Sequence, residues 1–314
     1  MVMDPSDAPP LASRAIRSSA DLAARLEGDS AALRNRLGQL GLANEFAPLA
    51  DALAEFVAEV TLRESRLVQG YLAGAAPFEH VATALLRTLA SRGVRLPPEL
   101  LYAFFARQDA EADEWLRARI ARLGPRESLS VLGYGLGDGS FERALASWLV
   151  AGGHCRTVEL FGFDPHQVAG APVVMVGRDQ LAQRRFDVII ARYVLHHVRP
   201  EARWADLAAC VRACKPDGEL LIAEQGYPAP GPAAAPGARL EHLLLAAVDL
   251  VANAVVHPDW CDLRAIEASG FYLSFLSEED LTGLHQALPR VVECELAQVG
   301  TYFPLNTMIR YRIG

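Results

Sequence analysis

Gly133-Tyr134-Gly135-Leu136-Gly137-Asp138-Gly139, entered from the apolar run Leu129, Val131 and Leu132, carries the plainest chemical signal in this chain of 314 residues. Glycine at every second position lets the backbone take positive φ and lets a ligand approach with no Cβ in the way. The amphipathic segment from Phe141 to Leu149 follows directly, so a buried strand passes through a glycine loop into a helix. Nucleotide cofactors of several kinds are held by such loops, and the loop alone does not choose among them. Metal chemistry finds less support. Cys155, Cys210, Cys214, Cys261 and Cys294 are scattered without C-x-x-C spacing, and Cys210 and Cys214, four apart on a predicted helix, have no second ligand pair nearby. Glu241, His242 and His257 match no ordinary ligand set either. No metal site is expected.

The flanking sequence supplies the scaffold. Apolar runs at 128–133, 157–163, 172–176, 186–191, 218–223, 291–299 and 307–313 predict strands, with helices between most of them. Strand–helix alternation means a parallel sheet covered on both faces, and the last two runs, lacking a long helix between them, predict an antiparallel edge hairpin. Upstream, from about Leu11 to Leu123, the pattern is helical. Leu49, Leu53, Phe56, Val57 and Val60 recur at three and four, as do Phe78, Val81, Ala82, Leu85, Leu86 and Leu89. Breakers at Gly41, Gly74 to Pro77 and Pro97-Pro98 divide this region into four to six helices. The organisation expected is an N-terminal helical domain over 1–124, serving as a cap or in homodimerisation, and an α/β domain over 125–314. A Pro/Ala-rich linker from Gly226 to Gly237 and an apolar helix from Arg239 to about Val256 form an insertion at about 226–270. Placed after the fifth strand, it lies above the strands' carboxyl ends, where open α/β sheets bind ligands, and is read as a wall of the substrate pocket.

Composition narrows the partners. A net charge of −8 argues against a broad nucleic-acid surface, which needs clustered basic residues. No apolar run approaches ~20 residues and no basic-then-apolar leader pattern opens the chain, so neither membrane spanning nor secretion is expected. An odd number of scattered cysteines fits reduced thiols in a cytoplasmic protein. The thirty basic residues include one lysine, Lys215, as expected of a GC-rich bacterial genome.

Five segments in order resemble the motifs of the class I S-adenosylmethionine-dependent methyltransferases, over roughly 126–314. Val131 to Phe141 is similar to the first motif, with Gly135, Gly137 and Gly139 on its glycines and Tyr134 within it. Phe161-Gly162-Phe163-Asp164-Pro165 resembles the end of the second strand, where an acid takes the ribose hydroxyls. A carboxylate suits that task because it accepts from both at once. Val176-Gly177-Arg178-Asp179, with Gln180 next, resembles the third strand's end beside the adenine amine. Phe186 to Val198, including Arg192, Tyr193, His196 and His197, resembles the fourth strand and the loop beside the sulfonium, and Lys215 to Ile222 the turn into the fifth strand. The resemblance implies an α/β fold, a seven-stranded Rossmann-like sheet with the N-terminal all-α domain added, binding S-adenosyl-L-methionine and releasing S-adenosyl-L-homocysteine. Two departures stand out. Gly133 occupies the place of an acid that commonly helps hold the methionine amine, and the gap from Asp164 to Val173 is too short for the helix that normally joins strands two and three.

Methyl transfer is an in-line displacement at an activated carbon, so the protein aligns the reactants and, where needed, removes a proton. His196 and His197 are of the type that takes a proton near neutral pH. Glu224, at the end of the fifth strand, is read as a base or amine anchor, and Tyr193 as a catalytic or cofactor contact. Tyr227, His242, His257, Trp260 and Tyr302 are candidates for the acceptor pocket. The Asn-Pro-Pro-Tyr type sequence of many methylases acting on bases or protein glutamine is absent after strand four. The expectation is O- or N-methylation of a small organic molecule in bacterial specialised metabolism. Ring closure through sulfonium chemistry and a non-catalytic cofactor-binding role remain open alternatives.

Overall fold

The computed structural model describes residues 30–42, 44–92, 98–164, 172–225, 234–256, 273–276, 280, 288, 290–300 and 305–314. In chain order the described elements are α1 (Ser30–Gln39), α2 (Ala47–Arg63), α3 (Ser65–Leu72), α4 (Phe78–Arg92), α5 (Pro98–Ala121), β1 (Arg126–Tyr134), α6 (Ser140–Ala151), β2 (Cys155–Phe163) and β3 (Val174–Met175). They continue with α7 (Arg178–Leu181), β4 (Phe186–Arg192), α8 (Pro200–Ala213), β5 (Cys214–Gln225), α9 (Pro236–Val256), β6 (Val291–Val299) and β7 (Asn306–Ile313). They divide between two compact units, one drawn from 1–108, 226–278 and 301–305, the other from 109–225, 279–300 and 306–314.

The first unit is helical. α2 begins with a proline in its first turn, whose fixed φ suits a helix start, and it buries Leu49, Leu53, Phe56, Val57 and Val60 along one face. These join Leu33 and Leu37 of α1, Val81, Leu85 and Leu89 of α4, and Leu240, Leu243, Leu244, Leu250 and Val251 of α9 in one apolar core. α9 buries every residue from His242 to Val251, because a helix apolar nearly all round has no face to give to water. Burying each of these leucines contributes about 1.5–3 kcal/mol to holding the helices together. Arg36 of α1 pairs with Glu241 of α9 within it.

Inside that core lies His242, 5% exposed. Its Nδ1 is 2.6 Å from the Tyr71 hydroxyl, its ring centroid is 4.3 Å from that of Phe78, and its Nε2 has no hydrogen-bond partner among the described residues. Burial, aided by Arg239 nearby, pushes the imidazole down to about 3.

The second unit is a seven-stranded sheet in the order β3-β2-β1-β4-β5-β7-β6. Six strands share one direction, and β7 alone is reversed, pairing antiparallel with both β5 and β6. The expected strands and the terminal hairpin are present. β3 is shorter than its apolar run, two residues instead of five, and Cys214 opens β5 instead of sharing a helix with Cys210. The segment from Pro165 to Ala171, where no joining helix was expected, falls outside the described residues. One face of the sheet packs Leu129, Val131, Val188, Ile190 and Leu221 on Trp115 and Leu116 of α5 and Leu145 of α6.

Two charge clusters fix the strands' alignment. At the amino ends of β1 and β4, the buried Asp187 carboxylate accepts from the Ser130 N–H at 2.9 Å and hydroxyl at 2.7 Å, from Lys215 at 2.8 Å and from Arg126 at 2.9 Å. Burial alone would raise its pKa, but Lys215 and Ser130 outweigh it and hold the carboxyl below the usual range. On the other side, Arg310 of β7 donates to Glu219 of β5 at 2.8 Å and to Glu293 of β6 at 2.9 Å, linking three strands. No described helix is long and apolar enough to cross a membrane.

The enclosed imidazole has a measurable consequence. His242 is neutral when folded and takes up a proton when unfolded below its ordinary value of 6.5, so its contribution is complete above that pH and is lost as pH falls toward about 3. The stability difference between wild type and His242→Gln should therefore shrink by roughly 1.4 kcal/mol per pH unit below about pH 6.5. Urea midpoints from pH 4 to 7.5 measure it, and parallel profiles for the two proteins would refute it.

Candidate functional site: the glycine loop and the loop after β4

β1 ends at Tyr134, and the chain then turns through Gly135, Gly137 and Gly139 at φ 68°, 57° and 72°. These left-handed conformations cost a residue with Cβ about 1–2 kcal/mol each, which is why glycine recurs at this spacing. The Gly135 N–H donates to the Phe163 carbonyl at 2.7 Å, tying the loop to the end of β2. A Cβ at Gly135 would overlap the Val194 side chain, so the loops after β1 and β4 touch only because position 135 has no side chain. Asp164, just past β2, accepts from the Gly137 N–H at 3.1 Å and is half-buried. The loop ends at Gly139, which caps the amino end of α6.

The loop after β4 is held by one carboxylate. Glu224, 3% exposed at the end of β5, accepts from the Val194 N–H at 3.0 Å and the Leu195 N–H at 2.7 Å, with His196 Nδ1 2.5 Å from its other oxygen. Burial would raise its pKa, but His196 and the two N–H groups outweigh it and hold the carboxyl below its ordinary value. Tyr193 sits at φ 52°, a strained conformation for a bulky residue. Its N–H donates to the Ala223 carbonyl at 2.7 Å and its hydroxyl to Asn306 Oδ1 at 3.0 Å. Arg192 pairs with Asp109 at 3.0 Å and Asp113 at 3.2 Å, its guanidinium lying 4.9 Å from the centre of the Phe141 ring.

Beside the glycine loop stands a group without an obvious structural task. Glu142, in the first turn of α6, is 3% exposed, and its Oε2 is buried with no hydrogen-bond partner among the described residues. Burial raises the carboxyl to about 7, only partly opposed by its own N–H and by Arg192. A buried acceptor left unmade costs about 1–3 kcal/mol.

The model of the family described as "Methyltransferase domain" matches residues 106–286, more than half of the chain. The chain belongs to that family. With the glycine loop at the carboxyl end of β1, an acid at the end of β2 and β7 antiparallel in the sheet, this is a class I S-adenosylmethionine-dependent methyltransferase. No curated protein matches the chain. Among solved structures it is similar to magnesium protoporphyrin IX methyltransferase from Synechocystis PCC 6803 with bound SAM, at 14% identity and TM-score 0.38, covering 64% of this chain and 78% of that one. It is similar also to the DhpI–SAH complex, at 15% and 0.39 over 79% and 97%, and to the mitomycin 7-O-methyltransferase MmcR, at 18% and 0.44 over 88% and 75%. None of the three is similar enough to lend this methyltransferase its acceptor.

S-adenosylmethionine supplies a methyl group already activated on a sulfonium. The residues present fit it: glycines after the carboxyl end of β1 that open the backbone, Asp164 beside them for the ribose, and a buried carboxylate oxygen with no donor among the described residues. Several other expected site residues have different work. The Tyr134 hydroxyl donates to Asp206 at 2.5 Å and its ring stacks on Phe163, so the loop residue expected to touch the cofactor turns its side chain into the sheet's packing. The Arg192 guanidinium, expected at the cofactor, is engaged by Asp109 and Asp113. Glu224, expected to face the acceptor as a base or anchor, is enclosed and accepts three contacts from the loop after β4. His196 shares that burial at 1% exposed, whereas His197 is half-buried. Asp179 is exposed, and Gln180, also exposed, accepts from the Gly177 N–H at 3.0 Å. His242 is closed within the helical unit's core and presents no surface to an acceptor. Pro165, Tyr227, His257, Trp260 and Tyr302 lie outside the described residues. Glu142 and Asn306 were not anticipated. Glu142 follows the last glycine by three, the spacing of an ordinary helix-capping acid, and only its burial marks it out.

Gly135→Ala tests the junction of the two loops. It imposes left-handed φ on a residue with Cβ and drives that Cβ into Val194. The thermal midpoint should fall by roughly 3–8 °C, and affinity for S-adenosylhomocysteine by about tenfold or more. Calorimetry of both quantities checks this, and wild-type values for both would disprove the junction's role.

Proposed function

We propose that this methyltransferase transfers the methyl group to oxygen or nitrogen of a small organic molecule, in the specialised metabolism of a bacterium. The observation that carries the reading is the loop after β4. In place of an Asn-Pro-Pro-Tyr sequence suited to a planar amide or base, it presents Arg192-Tyr193-Val194-Leu195, with Arg192 bound to two carboxylates and the Tyr193 hydroxyl to Asn306. Side chains so engaged do not frame a flipped base or a glutamine amide. The net charge of −8 supports the same reading, since a polyanionic acceptor would be repelled.

In this reading Glu224 and His196 act as a positioning pair, keeping the loop after β4 in shape. Where the acceptor atom must lose a proton, the half-buried His197 is the residue assigned to take it. Asp164 orients the ribose. Rate then comes from alignment, since the methyl carbon is activated before it arrives.

The experiment is incubation of the protein with methyl-labelled S-adenosylmethionine and a bacterial extract separated into small-molecule, protein and nucleic-acid fractions. Label is expected in the small-molecule fraction, in a product one methyl group heavier than its precursor. Label confined to protein or nucleic acid would overturn the proposal, as would consumption of the cofactor with a product lacking the added methyl.

A further inference from the structure

We infer that Glu142 is the residue that binds the α-ammonium group of S-adenosylmethionine, its carboxylate occupying from α6 the place beside β1 that Gly133 leaves without a side chain. The inference rests on the cofactor of the family, not on the nature of the acceptor.

Gly133 and Glu142 are matched in space. A Cβ built at Gly133 would lie 2.5 Å from Glu142 Oε1, 3.0 Å from its carboxyl carbon and 2.9 Å from the Leu136 Cβ. The two positions therefore exclude one another: a side chain at 133 and the carboxylate of 142 compete for one volume. The chain resolves the competition by reducing 133 to glycine and bringing an acid in from the helix.

A purely structural role accounts for only half of that carboxylate. An acid in the first turn of a helix commonly caps it, and Glu142 does bond its own N–H. A capping acid ordinarily leaves its other oxygen in water, where it costs nothing. Here Oε2 is buried and unpartnered, and the charged groups around it are engaged elsewhere. Arg192, at the end of β4, is held by Asp109 and Asp113. Arg143, on the same helix, donates to the Asp138 carbonyl at 2.8 Å, and the Asp138 carboxylate accepts from the Ser140 N–H at 2.9 Å. Among the described residues no donor is left for it, and that donor is assigned to a bound molecule.

The cofactor's chemistry selects which donor. Its sulfonium has no N–H to give, and its carboxylate would be repelled. Its ribose hydroxyls belong with Asp164 across the loop, on the β2 side. The α-ammonium is the one group that is both a cation and a hydrogen-bond donor, and a desolvated carboxylate gains most from such a partner. Position agrees. Glu142 lies against Gly133, at the start of the loop, whereas Asp164 meets it at the Gly137 N–H. Ribose at one end and ammonium at the other would lay the thioether between them.

Binding should then be linked to protonation. The carboxyl titrates near 7 when nothing is bound, and an ammonium against it favours the ionised form. Affinity should rise with pH through about 7, and protons should be released on binding below that value.

The test is calorimetry with two probes, S-adenosylhomocysteine and 5′-methylthioadenosine, which keeps the nucleoside and thioether but lacks the amino-acid end. With wild type, the preference for S-adenosylhomocysteine should grow severalfold between pH 6 and 8, with proton release seen as buffer-dependent heat. Glu142→Gln should weaken S-adenosylhomocysteine by about tenfold to a hundredfold, abolish the proton release and leave methylthioadenosine within about twofold of wild type, which also shows that the variant is folded. Three results overturn the inference: a preference independent of pH in wild type, equal losses for both probes in the variant, or no loss for either. Failure of wild type to bind either probe would instead overturn the cofactor assignment itself, and the inference with it. The wild-type pH series needs no variant, so it decides the matter even if Glu142→Gln does not fold.

Discussion

One buried carboxylate holds the cofactor side of the sheet in shape. Glu224 ends β5, yet its three contacts all lie in the loop after β4: two backbone N–H groups and an imidazole. Breaking a buried, hydrogen-bonded pair of this kind typically costs about 3–5 kcal/mol, because the partners stay buried without acceptors. The dependence runs further. The same loop carries Tyr193 in a strained backbone conformation, tolerable only because its N–H and hydroxyl are both tied down. It also places Val194 in the space that Gly135 leaves open. A strand end, a strained tyrosine and a glycine loop thus share one anchor, and none of the three keeps its geometry alone.

The sheet was legible in the sequence because its physics is local. Apolar runs of four to eight residues bounded by turns mark buried strands whatever surrounds them, and glycines at 135, 137 and 139 announce a backbone that must take positive φ. Side-chain direction was less legible. Tyr134 adjoins the loop glycines, but neighbouring residues of a strand face opposite sides of the sheet, and this one faces Asp206 of α8, 72 residues away. Arg192 looks like a free cation until Asp109 and Asp113, some eighty residues upstream, are brought against it. Glu224 looks like an acid at a strand's ligand-binding end, and nothing local says that backbone N–H groups will claim it first.

Gly133 is the instructive case. Read along the chain, it is a missing acid; read in space, it is the room another acid needs. Contacts across a loop are set by three-dimensional neighbours that sequence spacing does not order, whereas the strand, loop and helix that bring them together are ordered by spacing. His242 makes the same point in the helical unit. Its neighbours in sequence suggest a pocket, but the apolar circumference of α9 carries it into the core.

The position of β7 carries one more implication. It is inserted between β5 and β6, so the sheet's interior on that side is completed by residues nearly ninety positions away from β5 in the chain. Until β7 docks, β5 has an open flank and Glu219 lacks Arg310. Assembly on that side is therefore a closure over a longer stretch of chain than any parallel pairing of β1, β2, β4 and β5 requires. The edge hairpin is thus the part of the sheet whose closure spans the most chain.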